Sequence, residues 1–251
     1  ETVSTEYKLE SIIWQNEPYV GVLTEFPEPL AIVHTGDFIE GLYIDGNYLY
    51  TSNGKIIDIS EPVSAYILAD MGTGYGRDVV VSGNYAYISK SDGIYIVDIS
   101  DKVNPVIVTH INLNGDEPRR IDISGNYLYV AVWNAPKLDI IDISNPVSPM
   151  LVGSYQNGSA ELSGYSSVAV KGDYAFVVEY HWGIRAIDIS DPSNPVEVDS
   201  ILGENNPNAN DIKIFGDYAF ISTRYEGFII VDISDPTNMS IVKRVEVLPS
   251  Y

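Results

Sequence analysis

The sequence contains no cysteine, which excludes disulfide bonds, thiolate metal sites and a cysteine nucleophile. It is also poor in positive charge, because 14 Lys and Arg residues stand against 35 Asp and Glu residues and the formal net charge is −21. Such a surface repels phosphate backbones and anionic lipid headgroups, so we expect neither nucleic acid nor a membrane surface as a partner. No segment approaches the roughly 20 apolar residues of a membrane-spanning helix, so we expect no direct membrane insertion.

Motifs of common catalytic sites are missing as well. The three histidines, His34, His110 and His181, do not have the spacing of metal ligands. The sequence has no Gly-x-Ser-x-Gly nucleophile elbow and no phosphate-binding loop. We therefore expect no catalytic residue and no cofactor. Calcium stays open as a weak alternative, since turns such as 191–195 have oxygen donors but lack the dense carboxylates of a calcium loop.

The sequence does contain a phrase that occurs five times. Its first half is a Gly-Asn or Gly-Asp turn followed by Tyr, by Leu or Ala, and by Tyr or Phe, and its second half is Ile or Val followed by Asp-Ile-Ser. Repeats of roughly 40 to 47 residues that consist of β-type segments are typical of propellers and solenoids. The five copies begin at the turn glycines Gly46, Gly83, Gly125, Gly172 and Gly216.

The second copy best displays the strands of one repeat. Turn residues separate four short apolar runs, which predict antiparallel strands over Asp78–Ser82, Tyr85–Ser89, Ile94–Ile99 and Val106–Ile111. These runs are too continuously apolar for a sheet that is wetted on one face. Sheets stacked around an axis bury both faces, so we predict an all-β propeller of four-stranded antiparallel blades, with a right-handed β-solenoid as second choice.

The repeated phrase also resembles a known family. Ile-Tyr-Ile-Val-Asp-Ile-Ser-Asp at 94–101 and Gly-Phe-Ile-Ile-Val-Asp-Ile-Ser-Asp-Pro at 227–236 resemble the LVIVD repeat, and the resemblance covers about residues 40–248. It implies a β-propeller, typically in surface or secreted bacterial and archaeal proteins, and brings no catalytic signature. The expected location is therefore extracellular or at the cell surface, where other domains of a longer chain are one class of partner.

The repeats set the expected domain organisation. Residues 1–251 are predicted to form a single propeller domain, in which residues 37–251 hold the five repeats. Residues 1–36 depart from the repeat and are predicted to form a degenerate sixth blade. Six blades are thus expected, with a truncated seven-blade parent as the alternative.

Residues that recur in every repeat are most simply explained as architecture. A carboxylate before each Ile-Ser is expected to accept amide hydrogens of the following turn and not to hold a metal ion. The recurring tyrosines are expected to fill the space between blades and not to stack on sugars. The five turn carboxylates are Asp58, Asp98, Asp142, Asp188 and Asp232.

A functional site is expected where the repeats differ. The loops between the second and third strands and the loops between blades share one face of a propeller, and both sets vary in this sequence. The alternative for Arg77, Arg119 and Arg120 is simple pairing with neighbouring acids such as Asp78 and Glu117. The candidate ligand-binding residues on this face are Arg77, Arg119, Arg120, Trp133, Tyr180, His181, Trp182, Arg224 and Tyr225.

Two functions remain open at this point. The first is a non-enzymatic binding or structural module of a secreted or cell-surface microbial protein, which recognises a protein or a carbohydrate through the variable loop face. The second is a hydrolase or lyase that acts on glycans or lactones at the propeller axis, which requires at least two carboxylates or a metal ion to converge there.

Overall fold

The protein folds into five four-stranded antiparallel sheets, as seen in a computed structural model that describes residues 32–156, 164–181, 183–202, 208–224 and 227–245. We call these sheets blades 1 to 5 in chain order. In the described part of the chain the one helical segment is a short 3₁₀ turn at Pro62–Ser64. The all-β class predicted from the repeats is confirmed.

The strands follow the chain order within each blade. Blade 1 consists of β1 to β4 at Leu42–Asp45, Tyr48–Thr51, Lys55–Asp58 and Tyr66–Asp70. Blade 2 consists of β5 to β8 at Asp78–Ser82, Tyr85–Lys90, Gly93–Asp98 and Val106–Ile111. Blade 3 consists of β9 to β12 at Pro118–Ser124, Tyr127–Val132, Lys137–Asp142 and Met150–Gln156. Blade 4 consists of β13 to β16 at Tyr165–Lys171, Tyr174–Glu179, Gly183–Asp188 and Val196–Leu202. Blade 5 consists of β17 to β20 at Ala209–Phe215, Tyr218–Thr223, Phe228–Asp232 and Ser240–Val245.

The first strands of the blades lie beside one another. Strand β5 contacts β1 and β9, and β13 contacts β9 and β17, so these strands form an inner row with the blades radiating from it. Because the strands within a blade are antiparallel, the turns between strands 1 and 2 lie on the same face as the loops between strands 3 and 4. The loops between strands 2 and 3 and the loops between blades lie on the opposite face, which we call the loop face.

Two hydrogen bonds in each blade explain the two halves of the repeated phrase. In blade 2 the Oδ1 of Asp98 accepts the N–H of Ser100 at 2.8 Å, and the N–H of Ile99 donates to the carbonyl of Asn84 at 2.8 Å. The other four blades repeat both bonds at 2.8–2.9 Å. The second bond ties the Asp-Ile-Ser turn to the turn glycine's loop, where Gly83 has φ +57°, a conformation that favours glycine.

Among the described residues the hydrophobic core consists of four clusters, each between two successive blades. In blade 3, Leu128 and Val130 pack toward blade 2, while Tyr129 and Ala131 pack toward blade 4. Successive residues of a strand point to opposite faces, so a blade with two covered faces needs apolar residues at consecutive positions. The packing role predicted for the recurring rings holds in blades 1 to 4, whereas Tyr218 of blade 5 is 42% exposed. The buried rings at one repeat position are Tyr50, Tyr87, Tyr129 and Phe176.

The outward faces of blades 1 and 5 differ from all others. On blade 1, Leu42 is 59% exposed, while Val79 at the same position of blade 2 is 1% exposed. On blade 5, Phe228 is 39% exposed, while its counterpart Ile94 is fully buried. Among the described residues, therefore, nothing covers these two apolar faces.

Two sequence predictions can be compared strand by strand. The four strands predicted for the second repeat are confirmed, with ends that shift by one residue in β6 and β7. The predicted sixth blade over residues 1–36 falls largely on residues 1–31, which lie outside the described part of the chain. Residues 32–36 are described and form no strand.

Replacement of a side chain between blades tests the packing account. Leu138 is fully buried between blades 3 and 4, so Leu138→Ala is expected to lower the free energy of unfolding by about 2–5 kcal/mol. Leu151→Ala on the exposed outer strand β12 is the matched control, with an expected change within about 0.5 kcal/mol. Urea unfolding followed by circular dichroism measures both, and equal losses in the two variants would contradict the account.

Candidate functional site

Two positions of the repeat lie at the loop face and hold different residues from blade to blade. One lies six residues before the turn glycine, at or next to the start of the inner strand, and in blades 1 to 3 it is charged. The other lies eight residues after the turn glycine, beyond the core of the second strand, and in blades 3 to 5 it is large. The first set is Glu40, Arg77, Arg119, Ser166 and Asn210. The second set is Gly54, Ser91, Trp133, Tyr180 and Arg224.

The backbone around Trp133 is held on both sides. Its N–H donates to the carbonyl of Glu117 at 2.8 Å, which places Trp133 beside the start of β9. On the other side Gly164 lies directly against it, because a Cβ at that glycine would stand 1.6 Å from the Trp133 carbonyl oxygen. Only glycine permits this approach, and it brings the beginning of blade 4 against the Trp133 backbone of blade 3.

Rings and guanidinium groups from three blades form one connected group. The Arg119 guanidinium lies 4.1 Å from the Trp133 ring centroid, a cation–π distance. The Trp133 ring meets Tyr180 edge to face at 5.2 Å, and Tyr180 meets His181 in the same way at 4.6 Å. Nη1 of Arg224 donates to the Tyr180 hydroxyl at 3.4 Å. We call these five residues the loop-face cluster.

Two of the three predicted arginines pair with acids. Arg77 lies 3.9 Å from both Glu40 and Glu117, and Arg120 lies 3.6 Å from Asp78. Arg120 also donates to the carbonyl of Arg77 at 2.7 Å. Arg77 and Arg120 therefore have the geometry of arginines that pair with neighbouring acids, which was the alternative to ligand binding expected from the sequence.

Arg119 behaves differently from its two neighbours. Within the described ranges its guanidinium forms no salt bridge and no hydrogen bond, and its contact is the indole of Trp133. Burial lowers the pKa of Arg119, Glu40 opposes that effect, and the charges of Arg77 and Arg120 lower the pKa further. The guanidinium nevertheless stays charged at neutral pH. The site thus has a half-buried cation whose hydrogen-bond donors have no described protein acceptor.

Two carboxylates on the inner strands connect neighbouring blades. Oδ2 of Asp78 on β5 accepts the N–H of Ile121 on β9 at 3.1 Å. Oδ2 of Asp122 on β9 accepts the N–H of Val170 on β13 at 2.8 Å. Burial raises the pKa of Asp78 to about 6 and also raises the pKa of Asp122. Both carboxylates already serve as acceptors for backbone amides.

The part of the chain that the structure describes contains no group of side chains that could bind a metal ion. No three His, Asp or Glu side chains come close enough together there to hold a metal ion. The turn carboxylates lie in separate blades, and each Oδ1 accepts the amide of the serine two residues later. Hydrogen bonds from the hydroxyl and the amide of that serine lower the pKa of the Asp98 carboxyl and of its four counterparts.

The predicted site residues do not all have the same place. The structure brings Arg119, Trp133, Tyr180, His181 and Arg224 together, with Arg77 adjacent and Arg120 turned toward Asp78. Trp182 and Tyr225 lie outside the described residues.

Glu40 was missed in the sequence prediction, although it accepts a hydrogen bond from the Tyr75 hydroxyl and lies near Arg77. It occupies the same repeat position as Arg77 and Arg119, so aligning the repeats would have placed it on this face.

Five radially packed four-stranded blades define the class of the protein, which is a β-propeller. The LVIVD repeat matches the sequence five times, at residues 40–69, 73–112, 117–157, 164–202 and 207–247. The chain therefore belongs to the LVIVD-repeat family, as the resemblance predicted. A search of curated protein sequences found no significant match.

Solved structures agree with this fold at low sequence identity. The periplasmic gluconolactonase of Pseudomonas aeruginosa superposes with a TM-score of 0.70 at 12% identity, over 86% of this chain and 72% of that one. The β-propeller domain of a Myceliophteria thermophila protein gives 0.62 at 15% identity, over 83% and 73%. A computationally designed protein gives 0.64 at 12% identity, over 85% of this chain and 64% of that one. Such likeness extends to the fold alone.

No helix among the described residues is long and apolar enough to cross a membrane.

The raised pKa of Asp78 predicts a pH effect on stability. Its pKa of about 6 lies above the ordinary 3.8, so the folded protein binds this proton more tightly than the unfolded chain. That contribution is fully present below about pH 4 and is lost as pH rises through about 6, by up to about 3 kcal/mol. Asp78→Asn cannot titrate, so the difference in unfolding free energy between the two proteins should shift in the variant's favour from pH 4 to pH 7. Chemical unfolding at both pH values measures it, and a constant difference would contradict the assignment.

Proposed function

We propose that this protein is a non-enzymatic binding module that recognises a carbohydrate through the loop-face cluster. The observation that carries the proposal is the convergence of Arg119, Trp133 and Tyr180 from two blades at positions that the repeat does not conserve. Rings beside guanidinium groups offer a sugar both a surface for its C–H groups and donors for its oxygens. A protein partner, which would use the same residue types, is the alternative that remains if no glycan binds in the test below.

The setting is part of the same proposal. We place the module in a secreted or cell-surface microbial protein, since proteins with the LVIVD repeat are typically of this kind. The acidity of the chain disfavours nucleic acid as a partner. Other domains of a longer chain are one class of partner. Detection of the protein outside the cell or on its surface by fractionation tests this location, and recovery in the cytoplasm alone would contradict it.

Removal of the central ring tests the proposed site. Trp133→Ala is expected to weaken binding of a positive glycan by about 10-fold or more, because a stacked and partly desolvated ring contributes on the order of 2 kcal/mol. A glycan array that finds the ligand, followed by calorimetric titration of both proteins, measures the effect.

Tyr66→Ala serves as the matched control, since this exposed ring lies on the outer strand β4, away from the loop face. It should bind like the wild-type protein. Equal weakening in both variants, or an array on which no glycan binds, would remove the carbohydrate proposal.

A second candidate is a hydrolase or lyase that acts on glycans or lactones. Asp78 favours it, since a carboxyl with a pKa of about 6 is suited to proton transfer near neutral pH, and the fold resembles a gluconolactonase. Against it, Asp78 and Asp122 both accept backbone amides of the next blade. Incubation with lactones and with the array's glycans decides between the two, since product formation that Asp78→Asn abolishes would support catalysis.

We also propose that residues 1–36 form a sixth blade between blades 5 and 1. The support is the exposure of Leu42 and Phe228 on the two faces that such a blade would cover. Blade 1 spans only Leu42 to Asp70, so a blade fits within the length of this segment.

Deletion of residues 1–36 tests the sixth blade. The shortened chain would leave two apolar faces in water, so we expect a lower melting temperature and concentration-dependent self-association. Calorimetry and analytical ultracentrifugation of the full and shortened chains measure both. A shortened chain that stays monomeric with an unchanged melting temperature would contradict the proposal.

A further inference from the structure

The donors at the centre of the loop face outnumber their described acceptors. The Arg119 guanidinium donates no hydrogen bond within the described ranges, and Nε of Arg77 is buried without a partner there. A guanidinium has five N–H groups in a planar fork, and this fork matches a carboxylate or sulfate group. The half-buried Arg119 guanidinium therefore favours an acceptor that a ligand supplies.

The nearby acids do not remove this excess. Glu40 accepts the Tyr75 hydroxyl, and Arg77 lies 3.9 Å from Glu40 and from Glu117, beyond direct hydrogen-bond distance. Asp78 on β5 pairs with Arg120, the residue that follows Arg119 on β9. Glu40 is therefore engaged by Tyr75 and Asp78 by Arg120, while Glu117 lies 3.9 Å from Arg77.

The overall charge does not oppose an anionic ligand at this point. The formal net charge of −21 belongs to the whole chain, whereas exposed charges are largely screened beyond about 8 Å at physiological ionic strength. Local groups decide the contact energy, and the charges that act on Arg119 include Glu40 as well as Arg77 and Arg120. The three arginines thus outnumber the one carboxylate among these groups.

The aromatic rings beside Arg119 indicate what kind of group the rest of the ligand carries. Arg119 covers the Trp133 ring, and the rings of Tyr180 and His181 continue from it, so a cation stands at one end of an aromatic row. A sugar ring that carries a charged group can place its C–H groups on the aromatic row and its oxyanion at the cation.

We propose that the loop-face cluster selects an anionic sugar, with the Arg119 guanidinium bound to its carboxylate or sulfate group. This inference rests on the proposed carbohydrate-binding function and adds the class of ligand. The carboxylate of a uronic acid and the sulfate of a sulfated sugar each offer two oxygens that the guanidinium fork can bind. Sugars with either group are therefore included in the test.

The test compares each anionic sugar with its own neutral form. The full chain is titrated with oligouronates and their methyl esters, and with sulfated oligosaccharides and their desulfated forms, by calorimetry and tryptophan fluorescence. We expect at least one anionic member to bind about 10-fold or more tightly than its neutral form, as charge-assisted hydrogen bonds predict. The arm that shows the preference identifies the carboxylate or the sulfate as the source.

Variants then assign the preference to Arg119. Arg119→Gln should bind the anionic and neutral forms equally, and Arg119→Lys should restore part of the preference because it keeps the charge and loses the fork. Arg244→Gln, which removes the same charge from the outer strand β20, should bind like the wild-type protein. Circular dichroism and the melting temperature establish that each variant is folded.

The failures can be told apart. Equal affinity for anionic and neutral forms, or an unchanged preference in Arg119→Gln, overturns the anionic inference. If neutral sugars still bind and Trp133→Ala abolishes that binding, the proposed function stands without it. If no sugar of either kind binds, both proposals fall.

Discussion

The structure depends on apolar packing between the faces of neighbouring blades. Each of the four core clusters lies between two blades, and each buries about ten apolar side chains. Burial of one such side chain contributes about 1.5–3 kcal/mol, whereas one hydrogen bond of a turn contributes about 1 kcal/mol net. The blade interfaces therefore provide most of the stability. The Asp-Ile-Ser turns tie the loops within each blade, and Asp78 and Asp122 on the inner strands connect neighbouring blades. Because every blade needs both faces covered, the exposed faces of blades 1 and 5 are the feature that most calls for a further blade.

The same constraint explains what could be predicted from the sequence. Two covered faces require apolar residues at consecutive strand positions, and this pattern in Val79–Val81 predicted buried strands without any structure. The turn chemistry was equally readable, since Gly83 and Asp98 recur with fixed neighbours and make the same local bonds in every blade. Local bonds and periodic packing repeat with the sequence, so five copies of the phrase determine five copies of the blade.

Contacts between blades were harder to predict, because they depend on how far one blade is rotated against the next. Sequence spacing placed Arg77 and Arg119 on one face, yet it did not reveal that Arg77 pairs with acids while Arg119 stacks on Trp133. Tyr165, the first residue of β13, is fully buried between blades 3 and 4, which its position in the sequence did not reveal. Comparison of equivalent repeat positions recovers part of this information, since the loop-face cluster lies where charged and large residues replace each other from blade to blade.

The covering of blade faces can be measured directly because the chain has no cysteine of its own. A single cysteine in place of Leu42 reports on the outward face of blade 1, and a cysteine in place of the exposed Val147 gives the rate for an open position. Reaction with a thiol reagent is followed at concentrations where sedimentation finds a monomer. If residues 1–36 complete the propeller, the cysteine at position 42 should react at least about 10-fold more slowly than the one at position 147. Equal rates would contradict the claim that every blade face is covered.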